Sequence, residues 1–322
     1  MSEPDDAKTE RLRAAAGCWD ATAAVREANP IQGWLDSPLV LEAYVQPKLG
    51  GSPRVNWLLG TVERLRIPKT GRWLSLGCGS AGQEIAAAEW GLFASMLALD
   101  ASPASLEIAR QSAEARGVTT IRFDSTDLDR VSLPADSFDV VLMNMSLHHV
   151  RELRHVLGEV RRSLRNEGFF IINEYVGPRQ FQFSPLQLDL VRELLETLPE
   201  GYRRDSISGE IKREYVRMPV EHWNIADPSE AIRSDRIVAE IEKQFRVVER
   251  NDYGGTILNL LLEHIVHNFN PGDEKDVAIV RLLAKLEDIL IRQGVLASDF
   301  TVMAMKKQAR ILGRLRHRIA RF

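Results

Sequence analysis

Between Trp73 and Asp100 the chain changes character three times. A short apolar run, Trp73-Leu-Ser-Leu76, breaks into Gly77-Cys-Gly-Ser-Ala-Gly82; a helix-like stretch follows; then a second apolar run, Met96-Leu-Ala-Leu-Asp100, ends in a carboxylate. No other feature limits the fold as strongly. The order predicts a strand, a tight turn, a helix and a second, parallel strand, because parallel neighbours need a crossover and a helix is the usual one. Glycines in the turn expose bare backbone at a helix N-terminus, where a ligand can approach. The carboxylate is placed to hold two ribose hydroxyls.

The same alternation continues. Strand candidates are Trp73–Leu76, Ala94–Asp100, Thr120–Phe123, Phe138–Met143 and Phe169–Glu174. Helical stretches separate them, among them Ser102–Arg116 and Arg151–Arg165, the latter closed by Asn166-Glu-Gly168. The pattern predicts an α/β fold with a Rossmann-like, doubly wound, mostly parallel sheet. Residues 1–70 form an N-terminal helical cap, of which 1–9 are polar and without periodicity, and residues 71–175 form the core. A helical insertion follows over 176–244 (Leu186–Leu198, Ser229–Gln244). Residues 245–306 supply closing strands, Phe245–Tyr253 and Phe300–Lys306, around a second helical insertion. Both insertions leave from strand ends on the carboxyl edge, where open α/β sheets bind ligands.

Composition excludes several classes. A chain of 322 residues, 44% hydrophobic, can bury a sizeable core. Its net charge of −3 gives no reason to expect nucleic acid. Residues 305–322, however, hold seven Lys and Arg and no acid, which leaves −10 for the rest. Over 307–322 the arginines share an amphipathic helical pattern with Ile311, Leu312, Leu315, Ile319 and Phe322. This tail suits peripheral contact with a membrane surface, or packing on the acidic body. Cys18 and Cys78 are the only cysteines, which excludes a disulfide framework and fits a reducing, cytoplasmic setting. No Cys or His cluster has metal-ligand spacing. No run reaches the ~18 apolar residues of a membrane span.

Gly77, Gly79 and Gly82 spell GxGxxG, which a nicotinamide dinucleotide and S-adenosylmethionine (SAM) both satisfy. More of the sequence resembles the class I SAM-dependent methyltransferases. Leu76-Gly-Cys-Gly79 matches the first motif of that family, and Asp100 matches its ribose-binding acid. Asp127, in Ser125-Thr-Asp-Leu128, matches the acid near the adenine amino group, with Leu128 against the ring. Ser137-Phe-Asp-Val-Val-Leu-Met-Asn144 and Ser146-Leu-His-His149 resemble the fourth motif and its histidine pair. The resemblance implies a seven-stranded sheet, SAM as cofactor, and contacts from Gly77, Cys78, Gly79, Asp100, Ala101, Thr126, Asp127, Leu128, Asn144 and Met145. One departure stands out: the family usually carries an acid two residues before the first glycine, and here that residue is Ser75. Another is Ala81, which holds the place of the third glycine. A dehydrogenase explains the glycines and Asp100 but gives no reason for Asp127, the Phe138–Asn144 strand or His148-His149.

Methyl transfer from a sulfonium needs a nucleophile held in line, and a hydroxyl nucleophile gains from a general base. By position the candidate bases are His149 and Glu174. The structural reading of each is a helix-cap hydrogen bond for the histidines and an ion pair, for instance with Arg179, for Glu174. Asn259, Glu263 and His267 recur at intervals of four and would share one helix face. With Tyr175, Arg179 and His222 they are the candidate acceptor-pocket residues, and a solvated face or ordinary packing is their structural reading. After the fourth strand Asn144-Met-Ser-Leu147 lacks the Asn/Asp-Pro-Pro-aromatic motif of enzymes that methylate DNA or protein glutamine. The expectation is therefore a small-molecule or glycan acceptor, methylated on a hydroxyl. N- or C-methylation of a small metabolite, and a SAM-binding partner subunit without catalysis, are the alternatives.

Overall fold

The computed structural model describes residues 31–308. The start of the N-terminal cap and most of the basic tail lie outside those residues. Seven strands lie in one sheet: β1 Arg72–Leu76, β2 Ser95–Asp100, β3 Ile121–Ser125, β4 Phe138–Asn144, β5 Leu164–Tyr175, β6 Phe245–Gly254 and β7 Phe300–Lys307. Their order is β3-β2-β1-β4-β5-β7-β6. The pairs among β1–β5 are parallel, and β7 runs antiparallel to both β5 and β6. Two reversals make β6 parallel to β5. Both insertions therefore leave from the carboxyl edge, at Tyr175 and Gly254.

After a helical run over 38–49 in the N-terminal segment, the α-helices that follow are α1 Trp57–Arg64, α2 Gly82–Glu89, α3 Pro103–Ala115, α4 Leu153–Ser163, α5 Pro185–Thr197, α6 Val220–Ala226, α7 Ile237–Gln244, α8 Leu258–Leu262 and α9 Glu274–Arg292. Strand alternation divides the core in two. Trp73, Val140, Leu142 and Ile171 face one side, with Leu58 and Val62 of α1, Ile85 of α2 and Leu106 of α3. Leu74, Leu76, Val141, Met143, Phe170 and Ile172 face the other, with Val156, Leu157 and Val160 of α4 and Ile237 and Ile241 of α7. Burial on both faces is why these strands read as continuous apolar runs rather than alternating ones. The N-terminal segment joins the first core through Trp34, whose ring lies 5.9 Å from Tyr253 and 5.3 Å from Phe300.

Helix starts follow the sequence chemistry. Ser102 Oγ accepts from Ser105 N at the start of α3, with Pro103 in the first turn. Ser184 and Gln187 make a capping box on α5.

Three expectations need correction. The helix expected over Ser229–Gln244 begins only at Ile237. Asp227-Pro228 starts a turn instead, and Asp227 Oδ1 accepts from both Ser229 N (2.9 Å) and Ser229 Oγ (2.6 Å). The expected face of Asn259, Glu263 and His267 does not form, because α8 stops at Leu262 and His264 has φ +59°. Lys212 Nζ takes the carbonyls of Leu260 (2.7 Å) and Glu263 (2.8 Å), while His264 N turns away to Gln32 O (2.7 Å). Finally, Asn166-Glu-Gly168 does not end a helix. It lies inside β5, which starts at Leu164, opposite a register shift between Phe138 and Val140.

Candidate active site

The chain enters the sheet at its centre with β1, moves outward to β3, then crosses back to β4. The carboxyl ends of β1 and β4 therefore flank the switch point where such sheets bind ligands. Gly77 leaves β1 with φ +74°, and its N–H donates to Leu99 O at 2.7 Å. A Cβ at this position would lie 2.4 Å from Ser146 Cβ, so the loop after β4 closes directly on the turn. Ser146 Oγ donates to Leu76 O at 2.8 Å and holds that closure. Gly79 differs. Its φ is +52°, and a Cβ built there meets nothing within 4 Å among the described residues, so its backbone borders space they leave open. Asp100 links turn and sheet: Oδ2 accepts from Gly79 N and Oδ1 from Ser102 N, both at 2.8 Å. Each oxygen keeps a second lone pair for a ligand hydroxyl.

The other residues of the expected cofactor site gather around this turn. Thr126 N donates to Asp100 O at 2.8 Å, and Ala101 is half-buried beside it. Asp127 caps the short turn Leu128–Arg130, and Leu128 Cδ1 lies 3.5 Å from the Cβ position of Gly77. Asn144 Oδ1 accepts from Asn173 Nδ2 at 3.0 Å, and Met145 takes φ +51° with its N–H on Asn173 O. Cys78 is half-buried; burial, with Glu84 and Asp100 nearby, pushes its thiol far up, so it is space-filling and not a nucleophile.

Glu174 is not where a base would be useful. It is fully buried, and its carboxylate accepts from Ser146 N (3.0 Å), Leu147 N (2.7 Å) and Tyr175 N (2.7 Å). Its ionic partner is Nδ1 of His148, not Arg179, which is exposed. On the far side of that imidazole, His148 Nε2 lies 3.5 Å from Glu230 Oε1. Burial pulls His148 down, but the charges of Glu174, Glu230 and Asp227 outweigh it and hold the group up to about 9. His149 goes the other way: burial and the charge on His148 lower it, leaving a neutral imidazole at pH 7. His149 Nδ1 lies 3.3 Å from Ser229 Oγ, and its Nε2 lies 3.9 Å from Glu230 Oε2.

The expected acceptor residues do not converge. Tyr175 is a core residue with its hydroxyl on Pro178 O at 2.9 Å. His222 and His267 are exposed, and Asn259 is half-buried in α8. Glu263 and the neighbouring His264 line a separate cavity of about 270 Å³ with Lys212 and Tyr215. Sequence reasoning missed Asp227, Ser229 and Glu230. The Asp-Pro pair at 227–228 is their only local signal, as a turn starter just before an apparent helix.

The family profile described as "Methyltransferase domain" matches residues 74–172, which hold the turn, Asp100, the Asp127 cap and the loop after β4. Those residues are a class I SAM-dependent methyltransferase domain. The chain is 24% identical over 159 residues to an uncharacterized methyltransferase of Bacillus subtilis, covering 48% of this chain and 60% of that one. It is 27% identical over 166 residues to the demethylmenaquinone methyltransferase of Geobacillus kaustophilus, covering 50% and 71%. A crystal structure of a SAM-dependent methyltransferase from Mesorhizobium loti superposes with TM-score 0.45 and 19% identity, over 78% of this chain and 97% of that one. The chain thus spans less than two thirds of its Bacillus relative.

Within the methyltransferase domain, the acid missing at Ser75 has a counterpart. Glu84, from the first turn of α2, is buried and accepts from Ser75 Oγ at 2.7 Å. Burial pushes its carboxyl up from 4.5 to about 7, against the lowering effect of the Ser75 hydroxyl. The folded chain therefore holds a proton between pH ~4.5 and ~7 that the unfolded chain releases, so this group costs stability as pH rises through that window. Glu84→Gln does not titrate. Its stability relative to wild type is expected to improve by about 2–3 kcal/mol from pH 4.5 to pH 8, read from urea unfolding at each pH. A difference independent of pH would refute the assignment.

Proposed function

We propose that this chain transfers the methyl group of SAM to a small-molecule or glycan acceptor, on a hydroxyl oxygen. The observation that carries this reading is the pairing of two unlike glycines. Gly77 is required by its own contact with Ser146, whereas nothing among the described residues fills the space beside Gly79. Bare backbone facing open space, tied to a buried carboxylate on the neighbouring strand, fits an adenosine cofactor. Asp100 would hold the ribose; Gly77, Cys78 and Gly79 the methionine portion; Asp127 and Leu128, with Ala101 and Thr126, the adenine. Asn144 and Met145 would border the methyl group. When bound, the cofactor supplies a sulfonium methyl that a nucleophile can take in one in-line displacement.

The proton of the acceptor hydroxyl would leave toward the cluster of His148, His149 and Glu230, which the loop after β4 and the turn at 227–230 bring together. His149 is the candidate to accept it, being neutral. Glu174 would act as a positioning residue through Ser146, Leu147 and His148. The insertions would shape the acceptor pocket, with Tyr175, Arg179, His222, Asn259, Glu263 and His267 contributing at most through those elements. The name of the Geobacillus relative, a demethylmenaquinone methyltransferase, supports a small acceptor. No helix among the described residues is long and apolar enough to cross a membrane. A peripheral membrane role for residues 307–322 remains a proposal from their charge pattern.

Asp100→Ala tests the cofactor site. Losing charge-assisted bonds to two hydroxyls, each worth about 1.5–3 kcal/mol, should weaken binding of S-adenosylhomocysteine by about 100-fold or more. Calorimetry checks it, and unchanged affinity in a folded variant would remove Asp100 from the site.

A further inference from the structure

The loop after β4 and the turn at 227–230 bring together three groups that stand far apart in the sequence. His148, His149 and Glu230 each offer one ligand atom, and these atoms all lie within 4.8 Å of one another. His148 Nε2 lies 3.5 Å from Glu230 Oε1, and His149 Nε2 lies 3.9 Å from Glu230 Oε2. Ligand atoms about 2.0–2.2 Å from one tetrahedral ion stand about 3.3–3.6 Å apart, so little movement is needed to close on a cation.

The surroundings are those of a metal site rather than of a chance cluster. Metal-bound imidazoles almost always fix their other nitrogen on a carboxylate, carbonyl or water. Here His148 Nδ1 is held by the buried Glu174, which three backbone N–H groups hold in turn. His149 Nδ1 meets Ser229 Oγ, and that hydroxyl donates to Asp227 Oδ1 at 2.6 Å. Both rings are thus oriented with Nε2 toward Glu230. The charge is also unbalanced: Glu174, Asp227 and Glu230 lie around two imidazoles, and among the described residues no Lys or Arg forms an ion pair with any of the three. His149 and Glu230 remain about one fifth exposed, at 21% and 22%, so the site can be reached.

We infer that His148, His149 and Glu230 form a binding site for a divalent first-row transition-metal ion, with Glu174 and the Ser229–Asp227 pair orienting the two imidazoles. Two imidazoles and one carboxylate suit Zn²⁺, Fe²⁺ or Co²⁺ and leave positions for an oxygen ligand. Ion binding stands on this geometry alone. Its use rests on the methyl-transfer reading above: with the ion bound, His149 Nε2 is a ligand rather than the proton acceptor, and the acceptor hydroxyl would bind the ion as its alkoxide, its proton released to solvent water.

Co²⁺ is the probe, added to untagged, metal-stripped full-length chain at pH 7.5. One equivalent should bind at micromolar concentration and give visible d–d absorption of a low-coordinate nitrogen–oxygen site, displaced by Zn²⁺. Glu230→Gln and His149→Ala should weaken binding by more than the roughly 10–100-fold that loss of an outer partner costs, and Ser229→Ala by about tenfold. His155→Ala, at an exposed position of α4, should bind as wild type. Melting temperatures of each variant separate lost ligands from lost fold. Absence of a stoichiometric Co²⁺ spectrum in wild type would overturn the inference, as would full binding by both Glu230→Gln and His149→Ala. Binding of S-adenosylhomocysteine, measured on the same samples without metal, shows independently whether the cofactor reading holds.

Discussion

Replacing Glu174 by Ala is expected to destabilise the folded chain by about 3–5 kcal/mol, the usual cost of breaking a fully buried ion pair. The reason lies in what one carboxylate holds. Ser146, Leu147 and Tyr175 donate backbone N–H groups to it, and His148 donates through Nδ1. Alanine leaves those donors buried without an acceptor and strands a charged imidazole. For a chain of 322 residues the loss corresponds to a fall in Tm of roughly 4–8 °C. Glu174→Gln should recover part of it, since an amide oxygen still accepts from the backbone while its pairing with His148 is lost. A general base would behave differently: the Gln variant would keep wild-type stability and lose only turnover. Thermal unfolding of both variants decides between these roles.

The second large effect separates the two glycines of the turn. Gly77→Ala combines a left-handed φ, costing about 1–2 kcal/mol, with overpacking worth about 1–3 kcal/mol. Ser146, which the new methyl would strike, cannot yield, because its hydroxyl is fixed on Leu76 O and its N–H on Glu174. The expected loss is about 2–5 kcal/mol. Gly79→Ala carries only the left-handed cost, since its Cβ meets nothing among the described residues. Its methyl group would instead enter the space assigned to the cofactor. Gly79→Ala should therefore retain most of the stability but bind S-adenosylhomocysteine at least about tenfold more weakly. Equal effects of the two substitutions on both stability and binding would contradict this division.

How much of this was legible in the sequence follows from separation along the chain. The turn, Asp100 and the strands from β1 to β4 are local signals: a few apolar residues, a glycine break and a terminal acid, each within one crossover. The antiparallel return of β7 between β5 and β6 is not local, though its residues read as a strand. The cluster at the end of β4 was half legible. His148 and His149 were visible as a pair, but Glu230 lies some 80 residues on, in what looks like the first turn of a helix. Only the Asx turn at Asp227 reveals why that helix starts late. Glu84 illustrates the same limit. Ser75 reads as the loss of an acid, because nothing in the sequence shows α2 returning a carboxylate to it. The periodicity of Asn259, Glu263 and His267 misled for the opposite reason: Lys212, from a distant loop, claims the carbonyls that the helix would need.

The central claim is that the glycine turn and Asp100 form a SAM site and not a dinucleotide site. Isothermal titration of the wild-type chain with S-adenosylhomocysteine and, separately, with NAD tests it most directly. One micromolar site for S-adenosylhomocysteine and no measurable binding of NAD are expected. Tight binding of NAD, with none of S-adenosylhomocysteine, would contradict it.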